Sequence, residues 1–379
     1  MLNRHDIADG RRDRDERIRN LTKADLTDLI EQARHDNNIP ALAVIVMDAE
    51  RMTVSDIQGK RVVGSSADAS LNDYFHIGSC AKSILAVMAG RLIEQGQLAW
   101  DTKFFDLRPD LKTVARSEYL GITLEDLLLC QAGILPYTKG DEFAALNDTV
   151  SQSRETFITY LVQQKPASKK NSNGRFKHLY SNASYTMAAA MLERVAGLSW
   201  EDLIQRTLSD ELGLPVVIGW PNGLNYNQPW GHAEVNGSLQ AFSSGHEYRL
   251  HTIIAPAGDL SLRPLDYAKY VQLHLQGLRG VDNCLAAETY QAIHYRQKGF
   301  SLGVASGSSW GERYSMFDGS AGTFYCASMI FPDSNMAFVI MANSGTYRAG
   351  SERYLLAYEK DRKKVLQPVV DDLDVTLSR

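Results

Sequence analysis

No apolar run of about 18 residues occurs anywhere in the chain, so no membrane-spanning helix is expected. The start also lacks the apolar stretch of a secretory leader. It reads Asn3-Arg4-His5-Asp6 and then Arg11-Arg12-Asp13-Arg14-Asp15-Glu16-Arg17. Cysteine is scarce: Cys80, Cys130, Cys284 and Cys326 are the four in 379 residues. Their spacing fits no zinc pattern, and without a leader they are expected to be reduced thiols in the cytoplasm. Basic excess is missing too, with 40 Lys and Arg against 45 Asp and Glu and a net charge of −5. That balance argues against nucleic acid as a partner. No internal repeat is visible. What remains, 44% hydrophobic and 22% charged residues, is the composition of a globular protein with a large core or two joined subdomains.

Residues 1–20 read as a flexible charged arm. Thr22 and Asp25 form a capping pair before a helix with Leu26, Leu29, Ile30 and Ala33 at helical spacing, which Pro40 ends. Leu42–Met47 and Met52–Ile57 flank a turn and predict an antiparallel hairpin. A long, mostly helical block follows. Thr123 is a capping candidate, and residues 138–175 read as a polar surface loop. A helix is predicted from Ser184 to Ala196, loop-like sequence from Gly219 to Gly258, a helix after Arg263-Pro264, and another from Ala287 to His294. The chain then turns β-rich over Phe300–Ser306, Arg313–Phe317, Phe324–Phe331 and Met336–Ala342. A helix from Glu352 to Leu366 and a polar tail, 368–379, close it. Strands at both ends with helices between predict an α+β fold: one antiparallel sheet flanked by terminal helices, plus a helical insertion. Residues 21–70 with 295–367 would form the sheet subdomain and 71–294 the helical one, with the active site between them.

The stretch His76-Ile77-Gly78-Ser79-Cys80-Ala81-Lys82-Ser83 opens a helix that is apolar on most sides, hence buried. Three positions are nearly one turn, so Ser79 and Lys82 face the same way. A serine hydroxyl needs a base to become a nucleophile, and a lysine serves only if burial or neighbouring cations keep it neutral. The first helical turn adds free N–H groups that favour developing negative charge. Cys80 would point about 100° away from Ser79 and is expected to pack rather than react.

Three segments together resemble the serine β-lactamase and penicillin-binding-protein superfamily, in its class C β-lactamase, DD-peptidase and esterase branch. Phe75–Ser83 looks like the first motif, Ser-x-x-Lys. Tyr180-Ser181-Asn182 resembles the second, Tyr-x-Asn. Leu127–Pro136 resembles the Leu-Leu…Gly-Leu-Pro turn between them, and Ala255–Leu260 with the following helix is also similar. The resemblance implies that Ser79 is acylated and that Lys82 takes its proton. Tyr180 would pass the proton to the leaving group and help activate water, and Asn182 would orient Lys82 and the substrate. It implies no cofactor and no metal.

The third motif departs from the pattern. The family has His-x-Gly or Lys-Thr-Gly on the strand lining the site, and here the stretch is Phe317-Asp318-Gly319-Ser320. Gly319 and Ser320 match, but Phe317 stands where the cation or imidazole is expected; another alignment puts Asp318 there. The N–H groups of Ser79 and Ser320 would still form an oxyanion hole, which needs no side chain. A handle for a substrate carboxylate is missing, which disfavours β-lactams and D-Ala-D-Ala peptides and favours a less charged acyl group. Gly307-Ser308-Ser309-Trp310-Gly311 matches a nucleophile elbow, but strands are predicted on both sides of it. His246 and His251 are five apart and would not share a helix face for a metal. His178 and His232 are candidates to line the site, and Tyr137, Trp220, Tyr226 and Trp230 to rim it. The reading is a serine hydrolase acting on a small-molecule ester or amide, carboxylesterase-like. An acyltransferase in a biosynthetic pathway and a non-catalytic binding protein are the alternatives. Neither nucleic acid nor a membrane is expected as partner, and the oligomeric state is left open.

Overall fold

The structure is a computed structural model, and it describes residues 4–224, 227–235, 237–246, 249–309, 311–345 and 369. Its centre is a seven-stranded antiparallel sheet. From one edge the order is Met52–Gly59, Ala41–Met47, Met336–Ala342, Tyr325–Phe331, Glu312–Ser320, Ala305–Ser309 and Gly299–Phe300. An early hairpin is thus joined to five late strands, Val44 pairing with Ile340 at the junction. The run Ala41–Met47 is buried at every position, which explains its unbroken apolar sequence. Leu42, Val44 and Val46 join an outer core with Leu26, Ile30 and Val369. Ala43, Ile45 and Met47 face an inner core shared with the central helices.

The expected capping boxes are present at Thr22/Asp25 and Thr123/Asp126. Gly197, at φ +69°, ends the helix Asn182–Ala196 in the left-handed conformation that glycine adopts without strain. Four expectations need correction. Residues 4–19 form a helix rather than a flexible arm. Its Arg14 is only 1% exposed and pairs with Asp15 and Glu312. The segment looks solvated because its charges are satisfied by a carboxylate almost three hundred residues away. Arg14→Ala should remove the buried one of two arginines on Glu312, which keeps Arg11 at 3.2 Å and the Ser334 N–H and hydroxyl, and should cost about 3 kcal/mol in urea unfolding; a change under about 0.5 kcal/mol would mean that the buried guanidinium contributes nothing to the folded state.

The presumed surface loop at 138–175 contains the helix Arg154–Gln163, which buries Phe157, Ile158, Leu161 and Val162. The loop-like stretch at 219–258 contains the hairpin Gly231–Val235 and Ser238–Phe242. The expected strand Phe300–Ser306 is broken in two. Between the pieces Gly303, at φ +78°, lies against the Lys82 carbonyl, where a Cβ would come within 2.7 Å of that oxygen. The helix expected at 352–366 and nearly all of the tail lie outside the described residues, as does Tyr226.

Candidate active site

Ser79 sits in a single 3-10 turn, Gly78–Cys80, at the entrance to the helix Ala81–Glu94. That helix is buried over most of its length, and Lys82 is only 1% exposed. A turn and a helix start hold the second pair of residues. Asn182 N–H donates to the Pro136 carbonyl at 2.8 Å, and Ser181 Oγ to that of Leu135 at 2.7 Å. Ser184 Oγ and Tyr185 OH donate to the Leu127 and Leu128 carbonyls at 2.7 and 2.6 Å. The Leu-Pro turn is therefore tied along its length to the segment that carries Tyr180, which fixes where the phenol points.

Four of the expected residues meet. Lys82 Nζ lies 3.0 Å from Ser79 Oγ, 2.8 Å from Asn182 Oδ1 and 2.7 Å from the Ala257 carbonyl. Tyr180 OH donates to Ser79 Oγ at 2.8 Å. The Tyr180 and Tyr185 rings lie beside the amine, at 4.8 and 5.3 Å from their centroids. Asn182 Nδ2 donates to the Tyr137 carbonyl at 2.9 Å, so its oxygen is the atom turned toward lysine. Burial pushes Lys82 down from 10.5 to about 7. In the neutral amine two N–H groups reach Asn182 and Ala257, and the lone pair remains for Ser79. That geometry can accept the serine proton without first shedding one to water.

Gly319 and Ser320 lie against the same turn. A Cβ on Gly319 would collide with the Ser79 amide nitrogen and the Ile77 carbonyl, so only glycine lets the strand approach. A Cβ on Gly78 would meet Ser320 N at 2.7 Å. The Ser79 and Ser320 amides are thus brought to adjoining positions. Phe317 and Asp318 behave differently. Phe317 is 2% exposed, with its ring against Tyr270, His274 and His294 at 6.4, 5.1 and 5.6 Å. It fills the inner core instead of standing as a wall beside Ser79. Beneath it His274 Nδ1 lies 2.7 Å from His294 Nε2, and burial holds both imidazoles neutral, His294 near 3. Asp318 belongs to the opposite set of the strand's alternation, half-buried, with Tyr325 OH at 3.5 Å.

His178 is at the rim. Its ring packs on Phe300, which in turn meets the edge of Tyr180. His232 is buried between the Asn343 carbonyl and the Val63 N–H and held near 4 by burial, a structural position. Tyr137 and Trp220 are core residues, 4% exposed each. The elbow-like stretch begins inside a strand, with Gly307, Ser308 and Ser309 paired to Tyr314, Arg313 and Glu312, and its Trp310 lies outside the described residues. The Ala257 carbonyl was invisible to a reading of side chains, because any residue carries one; the preceding Ala255-Pro256 gave only its neighbourhood.

An α+β fold in which lysine and tyrosine meet at one serine hydroxyl, with an asparagine on the lysine, defines the class as β-lactamase-like. The chain belongs to the Beta-lactamase family, whose profile matches residues 26–360. It is 25% identical over 264 residues to a beta-lactamase of Escherichia coli strain K12, covering 69% of this chain and 63% of that protein. The chain therefore spans less than two thirds of that relative's length. It is 22% identical to penicillin-binding protein 4 of Amycolatopsis lactamdurans, over 82% of this chain and 83% of the other. Among solved structures, a class C beta-lactamase from Rhodobacter sphaeroides superposes with a TM-score of 0.69 and 17% identity, covering 92% and 98% of the two chains. An octameric penicillin-binding protein homologue from Pyrococcus abyssi gives 0.70 and 18%, covering 86% and 74%. These two likenesses establish the fold. Among the described residues no helix is long and apolar enough to cross a membrane.

Proposed function

We propose that this chain hydrolyses a small ester or amide through an acyl-Ser79 intermediate, with carboxylesterase activity the leading case. One observation carries the reading: Ser79 Oγ lies between Lys82 Nζ at 3.0 Å and Tyr180 OH at 2.8 Å. Ser79 Oγ attacks the substrate carbonyl while its proton passes to neutral Lys82. The tetrahedral oxyanion rests on the N–H groups of Ser79 and Ser320. Collapse of that intermediate breaks the bond to the leaving group, which takes its proton through Tyr180. Water then attacks the acyl-enzyme by the reverse route, restoring the serine and releasing the acid. The buried Phe317 supports an acyl group without a carboxylate, since Arg313 is the only basic residue of that strand and its guanidinium covers Tyr295 at 4.6 Å. The free thiols of Cys80, Cys130, Cys284 and Cys326 are in keeping with a cytoplasmic setting.

Intact-mass labelling with a fluorophosphonate tests the intermediate. One adduct on Ser79 is expected; a folded protein that takes none would make this a binding protein with an enzyme's fold. Partition of a chromogenic ester between water and an added amine then separates hydrolysis from transacylation. Acyl-amine as the main product at millimolar amine would favour the transferase. Tyr180→Phe keeps the ring against Lys82 and Phe300 but removes the proton donor. It should lower kcat by about a hundredfold with little change in thermal midpoint, and an unchanged kcat would take Tyr180 out of the proton path.

A further inference from the structure

We infer that His76 is a positioning residue for the oxyanion turn, set in one tautomer by Asp259; this rests on reading Ser79 as the acylated serine. His76 is fully buried on the short strand Phe75–His76, which pairs with Leu260–Leu262. Its Nδ1 accepts the Gly78 N–H at 3.2 Å, so that nitrogen carries no proton. The proton is therefore on Nε2, which donates to Asp259 Oδ1 at 3.1 Å. The imidazole packs at a tilt of 33° on Trp220 with centroids 4.1 Å apart, and Trp220 Nε1 donates to Thr323 Oγ1 at 2.9 Å.

Gly78 has φ +51°, a conformation that glycine holds easily but that does not by itself fix the next peptide plane. That next plane carries the Ser79 N–H. Anchoring the Gly78 N–H on an imidazole, with Ile77 N–H on the Leu260 carbonyl at 2.9 Å, leaves the turn one orientation. Asp259 is itself fixed, its N–H on the Ala255 carbonyl and its carbonyl under the Gly219 N–H, each at 2.9 Å. Two residues earlier, the Ala257 carbonyl holds Lys82. One short segment, Ala257-Gly258-Asp259, therefore places the general base directly and the oxyanion donor through His76. Trp220 reaches from the imidazole to Thr323, three residues past Ser320, so the second donor is braced from the same group. His76 touches no reacting atom; its contribution is the angle of an N–H.

Two substitutions separate the two ends of the ring. Asparagine at 76 puts an acceptor near the Nδ1 position and can still receive the Gly78 N–H. Glutamine reaches the Nε2 position, keeping Asp259 but losing Gly78. His76→Gln should lower kcat on a p-nitrophenyl ester by about 10- to 100-fold, with KM within about threefold. Affinity for an aryl boronic acid, which forms a tetrahedral anionic adduct on serine, should fall by a similar factor. His76→Asn should recover kcat to within about fivefold of wild type. Asp259→Ala, at a buried position, should lower kcat by about tenfold at constant KM. An unchanged kcat in His76→Gln or Asp259→Ala overturns the assignment. So does His76→Asn falling as far as His76→Gln, or boronate affinity that stays constant while kcat drops. Fluorophosphonate labelling of the wild type is read separately: its failure removes the serine mechanism itself, whereas success with flat His76 data removes only this role.

Discussion

Ser79→Ala is expected to reduce ester turnover by at least about 10⁴-fold and to abolish the fluorophosphonate adduct, with the fold intact. Both Lys82 and Tyr180 reach this hydroxyl, so its removal leaves two proton carriers without the nucleophile they serve. No neighbour can substitute. Ser83, one helical turn on, is fully buried, donates to the Cys80 carbonyl at 2.8 Å and meets Tyr270 OH at 3.0 Å. The stability cost should be small, about 1 kcal/mol, because Lys82 keeps Asn182 and Ala257 as acceptors. Steady-state rates on a chromogenic ester, intact mass and thermal unfolding of one preparation supply the check. More than a tenth of the wild-type rate in a homogeneous sample would mean that the reaction does not pass through this serine.

What the sequence reveals of this site divides by range. The Ser79–Lys82 relation is local: helical spacing alone puts the two on one face, and the apolar run behind them signals the burial that lowers the lysine. Tyr180 and Asn182 also sit on a local signal, a capped helix start. That the two pairs meet is not local. It follows from the Leu-Pro turn whose carbonyls hold Ser181, Ser184 and Tyr185. Only the resemblance of motif order supplied that meeting in advance. Backbone groups stayed hidden, the Ala257 carbonyl above all. Phe317 was placed correctly along the strand and read wrongly across it. It shares a face with Ser315 and Gly319 over Tyr270 and His274, and in that dry, uncharged surrounding an aromatic ring is the natural occupant. The N-terminal helix failed for the opposite reason, since charge that is matched at long range looks the same in sequence as charge that faces water.

Lys82→Met should cost about 10³-fold in kcat/KM and also remove a pH dependence that the wild type carries. Burial lowers the amine from 10.5 to about 7, and only the neutral amine can take the serine proton. Wild-type kcat/KM should therefore rise with pH up to about 7 and level off, while Lys82→Met shows a low rate without that limb. Lys82→Arg should be no better, because a guanidinium keeps its charge throughout this range. The same group acts on stability with a definite sign. Between pH 7 and 10.5 the unfolded chain holds the lysine proton and the folded chain does not, so stability rises with pH across that window. At 1.36 kcal/mol per pH unit the full effect is on the order of 5 kcal/mol. Below pH 7 both states are protonated, and the cost of burying the charge is constant and complete. Urea unfolding at pH 7 and pH 9.5 should accordingly show the wild type gaining stability relative to Lys82→Met. A parallel response of the two proteins, together with a flat wild-type rate profile from pH 5.5 to 8, would show that the amine stays charged and that some other group receives the serine proton.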